Sequence, residues 1–180
     1  VKTLYLLRHA KSAWDDPALT DHERPLAPRG EDAAPRVGRT LRDMGAAPDR
    51  VLCSSARRAR QTWALIAPEL DHDAPVEVRD DLYDADATDL LDAIHAVPAA
   101  VEQLIVVGHN PSMERLAEAL AGDGNAAALQ ELHAKYPTGA VAELRFDLES
   151  WDGIESGRGH LTRFHKPKKL PDPEPDDGPG

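Results

Sequence analysis

A single cysteine, Cys53, stands in the whole chain, which excludes an internal disulfide and any zinc site built from several thiolates. No apolar run comes near the ~18 residues that a membrane-spanning helix needs, so no transmembrane segment is expected. Val1-Lys2-Thr3 leads straight into a short apolar stretch without a long apolar region or a small-residue cleavage site, so no secretory signal is expected. Basic residues are in deficit: 21 Lys and Arg against 32 Asp and Glu leave a net charge of -11, which argues against a general nucleic-acid binder. The expectation is a cytoplasmic protein with neither membrane nor nucleic acid among its partners. A length of 180 residues suits one domain with a sizeable core, or one domain plus a tail.

What is present is organised around Leu4-Tyr5-Leu6-Leu7-Arg8-His9. Its continuous apolar run predicts a strand covered on both faces, and the run stops on a cation and an imidazole. His9 is thereby expected at the carboxyl end of a central strand, where open α/β sheets bind ligands. Residues 14–30 then read as a long loop, whose two prolines and glycine in Arg24-Pro25-Leu26-Ala27-Pro28-Arg29-Gly30 oppose regular structure. Loops of that length in compact domains are often functional. Ala33, Ala34, Val37, Leu41 and Met44 recur at helical spacing, and Gly45 fits a stop.

Arg50-Val51-Leu52-Cys53-Ser54 reads as a second strand. Ser54 or Ser55 can cap a following helix with Ala59, Thr62, Trp63, Ile66 and Leu70 inward. Val76-Glu77-Val78 reads as a third strand, and Leu90, Leu91, Ile94 and Val97 as a helix face. Leu104-Ile105-Val106-Val107 is the strongest strand pattern and runs into Gly108-His109-Asn110-Pro111. There Asn110 suits an N-cap and Pro111 a first helical residue, ahead of a face of Met113, Leu116, Ala117 and Leu120 closed by Gly122. Residues 142–148 alternate apolar and charged, as a half-exposed strand does, and a turn over 151–159 returns the chain into Leu161-Thr162-Arg163-Phe164. The expected fold is a three-layer α/β/α sandwich over 1–166, with a largely parallel central sheet and an antiparallel edge hairpin. Residues 167–180, rich in Pro, Asp and Glu, are expected to be a disordered tail.

In that arrangement Arg8-His9, Arg58 and His109 all follow strand ends on one edge. Two imidazoles beside two guanidinium groups point to phosphoryl transfer. Guanidinium forks match phosphate oxygens and stay charged. A neutral imidazole nitrogen can attack phosphorus and form a covalent intermediate. Arginine charge then stabilises the equatorial oxygens, and amides at the helix start after Asn110 could add donors. Each feature taken alone has a plain structural reading: Arg57, Arg58 and Arg60 suit a solvated helix face, and His109 a turn. A metal hydrolase is the weaker class, because no closely spaced His pair or carboxylate cluster accompanies His9 and His109.

These residues resemble the histidine phosphatase superfamily, also called phosphoglycerate mutase-like. Arg8-His9-Ala10 looks like its Arg-His-Gly signature with Ala in the third place. Ser55-Ala56-Arg57-Arg58-Ala59-Arg60-Gln61-Thr62 is similar to the second motif, with Arg58 in the role of its arginine, and Val107-Gly108-His109 to the third. Arg-His-Ala-Lys-Ser and Arg24-Pro25-Leu26 followed by Arg29-Gly30 are similar to the compact SixA branch of phosphohistidine phosphatases. The resemblance implies that His9 is phosphorylated, that Arg8, Arg58 and His109 clamp the phosphoryl group, and that no metal or cofactor takes part. Arg24 is expected to extend the pocket, with Ser12 and Lys11 as weaker candidates. Asp84 is the expected proton donor, with Asp80, Asp81 or no acid as alternatives. The expected substrate is phosphohistidine in a partner protein. Small phosphorylated metabolites or nucleotides, and a catalytically silent phosphate-binding module, are the alternatives.

Overall fold

The computed structural model describes residues 1–167; the tail expected from 167 onward lies, from residue 168, outside the described residues. Seven strands form one sheet in the order β3-β2-β4-β1-β6-β7-β5. They are β1 (Lys2–Arg8), β2 (Arg50–Ser54), β3 (Val76–Arg79), β4 (Gln103–Gly108), β5 (Ala121–Gly124), β6 (Val141–Phe146) and β7 (Gly159–His165). β1 sits in the middle, parallel to β4 and antiparallel to β6. β2 lies parallel to both β4 and β3. The carboxyl ends of these four parallel strands therefore open on one edge.

The unbroken apolar runs of β1, β2 and β4 arise because both faces are covered. Leu4, Leu6, Leu52, Leu104 and Val106 face α3 (Ala87–His95), α4 (Ser112–Leu120) and α5 (Ala126–Ala134). Tyr5, Leu7, Val51, Cys53, Ile105 and Val107 face α1 (Pro28–Asp43) and α2 (Arg57–Ile66). Successive side chains point to opposite faces, so each strand feeds two cores at once. This is the three-layer sandwich, and β6 and β7 pair as the expected antiparallel hairpin.

Several local expectations are corrected. The loop stops at Ala27 rather than Gly30, because α1 starts with Pro28. Proline fits the first helical position, where its missing N–H has no partner to lose. Ser54 and Ser55 do not cap α2: Ala56 holds the N-cap place without a side-chain bond. Asn110 and Pro111 each stand one residue further out than expected. Pro111 is the N-cap of α4, and Asn110 Oδ1 accepts from the Glu114 amide at 3.2 Å. Strand β6 is buried through Val141–Leu144 rather than half exposed. Its Glu143 is 1 % exposed, and burial raises its pKa against the opposing fields of Arg145 and Arg163. Beyond the hairpin, β5 adds a parallel strand to β7, and Asn125 caps α5 by accepting from the Ala128 amide at 3.0 Å. Neither was anticipated, since Ala121-Gly122-Asp123-Gly124 carries no alternation of apolar and polar residues.

The loop before α1 is stitched back onto the chain that leaves β1. The Ala27 amide donates to the Lys11 carbonyl and the Ala13 amide to the Pro25 carbonyl, each at 2.9 Å. Gly30 permits this closeness: a Cβ there would stand 2.1 Å from the Lys11 carbonyl oxygen. Gly→Ala inside a helix normally gains about 1 kcal/mol. Here the overlap with backbone reverses the sign. Gly30→Ala is expected to cost about 1–3 kcal/mol, read as a fall of several degrees in Tm; an unchanged or raised Tm would show the contact to be soft.

Candidate active site

His9 is fully buried, 0 % exposed, directly beyond β1. Its amide donates to the Gly108 carbonyl at 3.1 Å, tying it to the end of β4. The ring lies 2.7 Å through Nδ1 from the Ala10 carbonyl. A carbonyl only accepts, so Nδ1 carries the proton and Nε2 keeps its lone pair. That Nε2 is buried and makes no hydrogen bond. The Ala10 amide donates to Thr62 Oγ1 at 3.0 Å, and that hydroxyl donates to the Arg58 carbonyl at 2.7 Å. One threonine thus ties the start of α2 to the segment holding His9. Burial, first, and then the field of His109 hold the His9 pKa well below the ordinary value, and Arg58 and Arg8 push the same way against the Ala10 bond. His9 is a neutral imidazole with one bare nitrogen.

The other groups surround it. The His109 ring centroid is 5.2 Å from that of His9, and its Nε2 is 2.7 Å from Ser54 Oγ. Arg8 is buried and donates through Nη1 to the Tyr136 carbonyl at 3.0 Å. Arg58 lies on the inward stripe of α2 with Ala59, Thr62, Trp63 and Ile66, whereas Arg60 is exposed and Arg57 half exposed. The two serines expected as caps serve histidines instead: Ser54 meets His109, and Ser55 Oγ is 2.9 Å from His22 Nε2. The amides of Met113 and Glu114 at the start of α4 are taken by the His109 carbonyl and Asn110 Oδ1, so they are not anion donors.

Sequence reasoning missed Asp21 and Tyr83. Asp21 opens a short 3-10 turn, Asp21–Glu23, in the loop before α1. Its Oδ1 accepts from Arg24 Nε at 3.1 Å, and its Oδ2 accepts from Arg58 Nη2 at 3.1 Å and from the Tyr83 hydroxyl. Its carbonyl accepts from Arg58 Nη1 at 2.8 Å. Partial burial works to raise the Asp21 pKa, but the Tyr83 bond and the two guanidinium groups outweigh it and hold it at about 2. Burial and the Asp21 carboxylate push the Tyr83 hydroxyl up to about 12. The Tyr83 ring stands edge-on to His109, centroids 5.8 Å apart. The only local signal for Asp21 is its place three residues before Arg24; Tyr83 is 62 residues away.

Arg24, 5 % exposed, donates through Nη1 to Ser12 Oγ at 2.9 Å and to the Ala13 carbonyl at 3.1 Å. Trp14 stacks over its guanidinium, 3.5 Å from Cζ to the ring centroid. Its Nη2, like Arg58 Nε, is buried without a partner. Asp84 points elsewhere: it is exposed and lines a hollow of about 620 Å³ with Arg79, Asp80, Asp81, Asp89 and Asp92. Asp81 is spoken for by Arg79, 2.6 Å away. Lys11 is half exposed. Among the described residues no group of three or more His, Cys, Asp or Glu side chains is placed to hold a metal ion, and no helix is long and apolar enough to cross a membrane. The arrangement can receive a tetrahedral oxyanion between guanidinium donors and present a nitrogen nucleophile to its centre.

Comparison with known proteins agrees with this geometry. The family model of the histidine phosphatase superfamily (branch 1) matches residues 4–103. An uncharacterised protein of Mycobacterium tuberculosis is 41% identical over 164 residues, covering 90% of this chain and 100% of that one. A solved structure described as a candidate phosphohistidine phosphatase SixA from Nakamurella multipartitia is 33% identical, with a TM-score of 0.80, covering 92% of this chain and 96% of that one. A second, from Agrobacterium tumefaciens and described likewise, is 30% identical with a TM-score of 0.75, covering 92% and 98%. With the matched segment carrying His9 and Arg58, and relatives aligned over nearly the whole fold, this chain belongs to the histidine phosphatase superfamily, among its SixA-like members.

Proposed function

We propose that this protein is a phosphatase that works through a phosphohistidine on His9, and that its substrate is phosphohistidine carried by a partner protein. The observation that carries the proposal is the bare, buried Nε2 of a neutral His9 inside a shell of His109, Arg58 and Arg8. In the first step Nε2 attacks phosphorus in line, and the bond from phosphorus to the substrate imidazole breaks. The phosphoryl group passes to His9 and the departing imidazole takes a proton from solvent. In the second step water attacks the phosphohistidine, releasing inorganic phosphate and restoring neutral His9. Splitting the reaction this way replaces one hard displacement with two easier ones. Arg8, Arg58 and His109 hold the equatorial oxygens throughout, and Arg24, oriented by Ser12, extends the clamp. No cofactor enters these steps.

The state of the acids supports the substrate class. The carboxylate that touches the clamp, Asp21, stays ionised with its pKa at about 2, and Asp84 is exposed on a separate hollow. An alkoxide leaving group gains much from general acid catalysis. An imidazole leaving a phosphoramidate is protonated readily and gains less. The described SixA-like neighbours support the same reading.

The following outcomes are expected. His9→Ala lowers turnover of an aryl phosphate by at least about a thousandfold and abolishes labelling of the protein by radioactive substrate, and Arg58→Ala costs about 10²–10³; turnover surviving in His9→Ala would remove the nucleophile. Asp84→Ala changes turnover of a phosphohistidine-bearing protein less than about threefold; a loss near the 10²–10⁴ of general acid catalysis would restore Asp84 as the acid. A panel of small phosphate esters and nucleotides turned over faster than the phosphoprotein would move the substrate to the metabolite class. Finally, the His9 ring followed by NMR stays neutral as pH falls from about 7.5 to about 5.5. Because its folded pKa is depressed, the unfolded chain binds the proton first, so this group withdraws stability as pH drops below about 6.5. An inflection near about 6.5 at His9 would show a solvated ring.

A further inference from the structure

We infer that Asp21 is a positioning residue: its one carboxylate fixes the guanidinium groups of Arg58 and Arg24 so that Arg58 Nε–H and Arg24 Nη2–H remain for the oxyanion. The inference rests on the phosphatase reading and names which donors perform the binding. The geometry divides each guanidinium into a held side and a spare side. On Arg58 both terminal nitrogens are committed, Nη1 to the Asp21 carbonyl at 2.8 Å and Nη2 to Oδ2 at 3.1 Å. Nε is buried and unbonded. On Arg24, Nε goes to Asp21 Oδ1 and Nη1 to Ser12 and the Ala13 carbonyl. Nη2 is buried and unbonded. A buried donor without a partner is costly, and a guanidinium donor is more so. Two such donors, on side chains 3 % and 6 % exposed and braced by the same carboxylate, mark where an anion belongs.

Asp21 is itself half exposed, at 49% of its side chain, so it is not a core carboxylate whose loss leaves a void. It also receives the Tyr83 hydroxyl, which joins the brace to the ring standing against His109. A guanidinium released from this brace regains its rotamers, and a misplacement of about 1 Å can cost about a hundredfold in rate. Asp21 touches no reacting atom in this account; it acts through the arginines.

The test is a double-mutant cycle on the full chain, read with an aryl phosphate and with orthovanadate as inhibitor. Asp21→Asn keeps the shape and removes the charge. It is expected to lower kcat/KM about 10–100-fold, to weaken orthovanadate in parallel, and to leave Tm within a few degrees. In the Arg58→Ala background the same substitution is expected to cost less than about fivefold, because most of what the brace holds is gone. A change within twofold in the wild-type background, or an equal loss in both backgrounds, overturns the inference. A second reading needs no variant: the Nε–H resonance of Arg58 in the wild-type protein should shift on saturation with inorganic phosphate, and a resonance that stays put overturns the assignment of that donor. Wild-type protein that neither turns over the ester nor binds orthovanadate would instead bring down the phosphatase reading itself, and this inference with it.

Discussion

The proposed chemistry depends first on the bond between His9 Nδ1–H and the Ala10 carbonyl, 2.7 Å long. An imidazole has two nitrogens that trade one proton, and a nucleophile is useful only if the proton stays on the nitrogen that does not react. Here a carbonyl one residue away claims that proton. The ring is also buried, and burial disfavours its protonated form. Ala10 is held in turn, since its amide is bonded to Thr62 on α2. The reactivity of one side-chain nitrogen therefore depends on where a helix docks on the sheet.

The protein also buries three guanidinium groups. Arg8, Arg24 and Arg58 are each at most 6 % exposed, in a chain whose net charge is -11. Burying a guanidinium costs several kcal/mol unless it is paired. Asp21 pairs two of them, yet leaves a donor on each without a partner. This cluster is thus a place where local rules of satisfaction are broken, as functional sites commonly are. In the proposed reaction an oxyanion completes it, and one whose charge spreads over several oxygens in the transition state completes it best.

Stability and function meet in the loop that precedes α1. Its return path lies against residues 11–13, through backbone bonds at both ends of the crossing and a glycine that tolerates backbone at van der Waals overlap distance. The same loop carries Asp21 and Arg24, and it brings Asp21 against Arg58 of α2. A loop free of such anchors would spend its conformational entropy at each binding event; this one has spent it on folding.

The sheet was legible in the residues because each of its central strands is buried on both sides, and such strands announce themselves as runs like Leu4-Tyr5-Leu6-Leu7 and Leu104-Ile105-Val106-Val107. His9, Arg58 and His109 were legible for the same reason, since each follows a strand whose end the pattern marks. What lay beyond the sequence had no local signature. Glu143 looked solvent-facing by alternation, yet it lies buried between β1 and β7, and β5 is recruited by pairing with β7, not by its own composition. Asp84 and Tyr83 are neighbours in the chain, and which of them turns toward His109 is decided by how the segment after β3 packs. The meeting of Asp21, Arg58 and Tyr83 joins three separate segments across up to 62 positions. Hydrophobic period is a property of consecutive residues, whereas the pairing of charges across a pocket is a property of closure, and only the folded chain holds it.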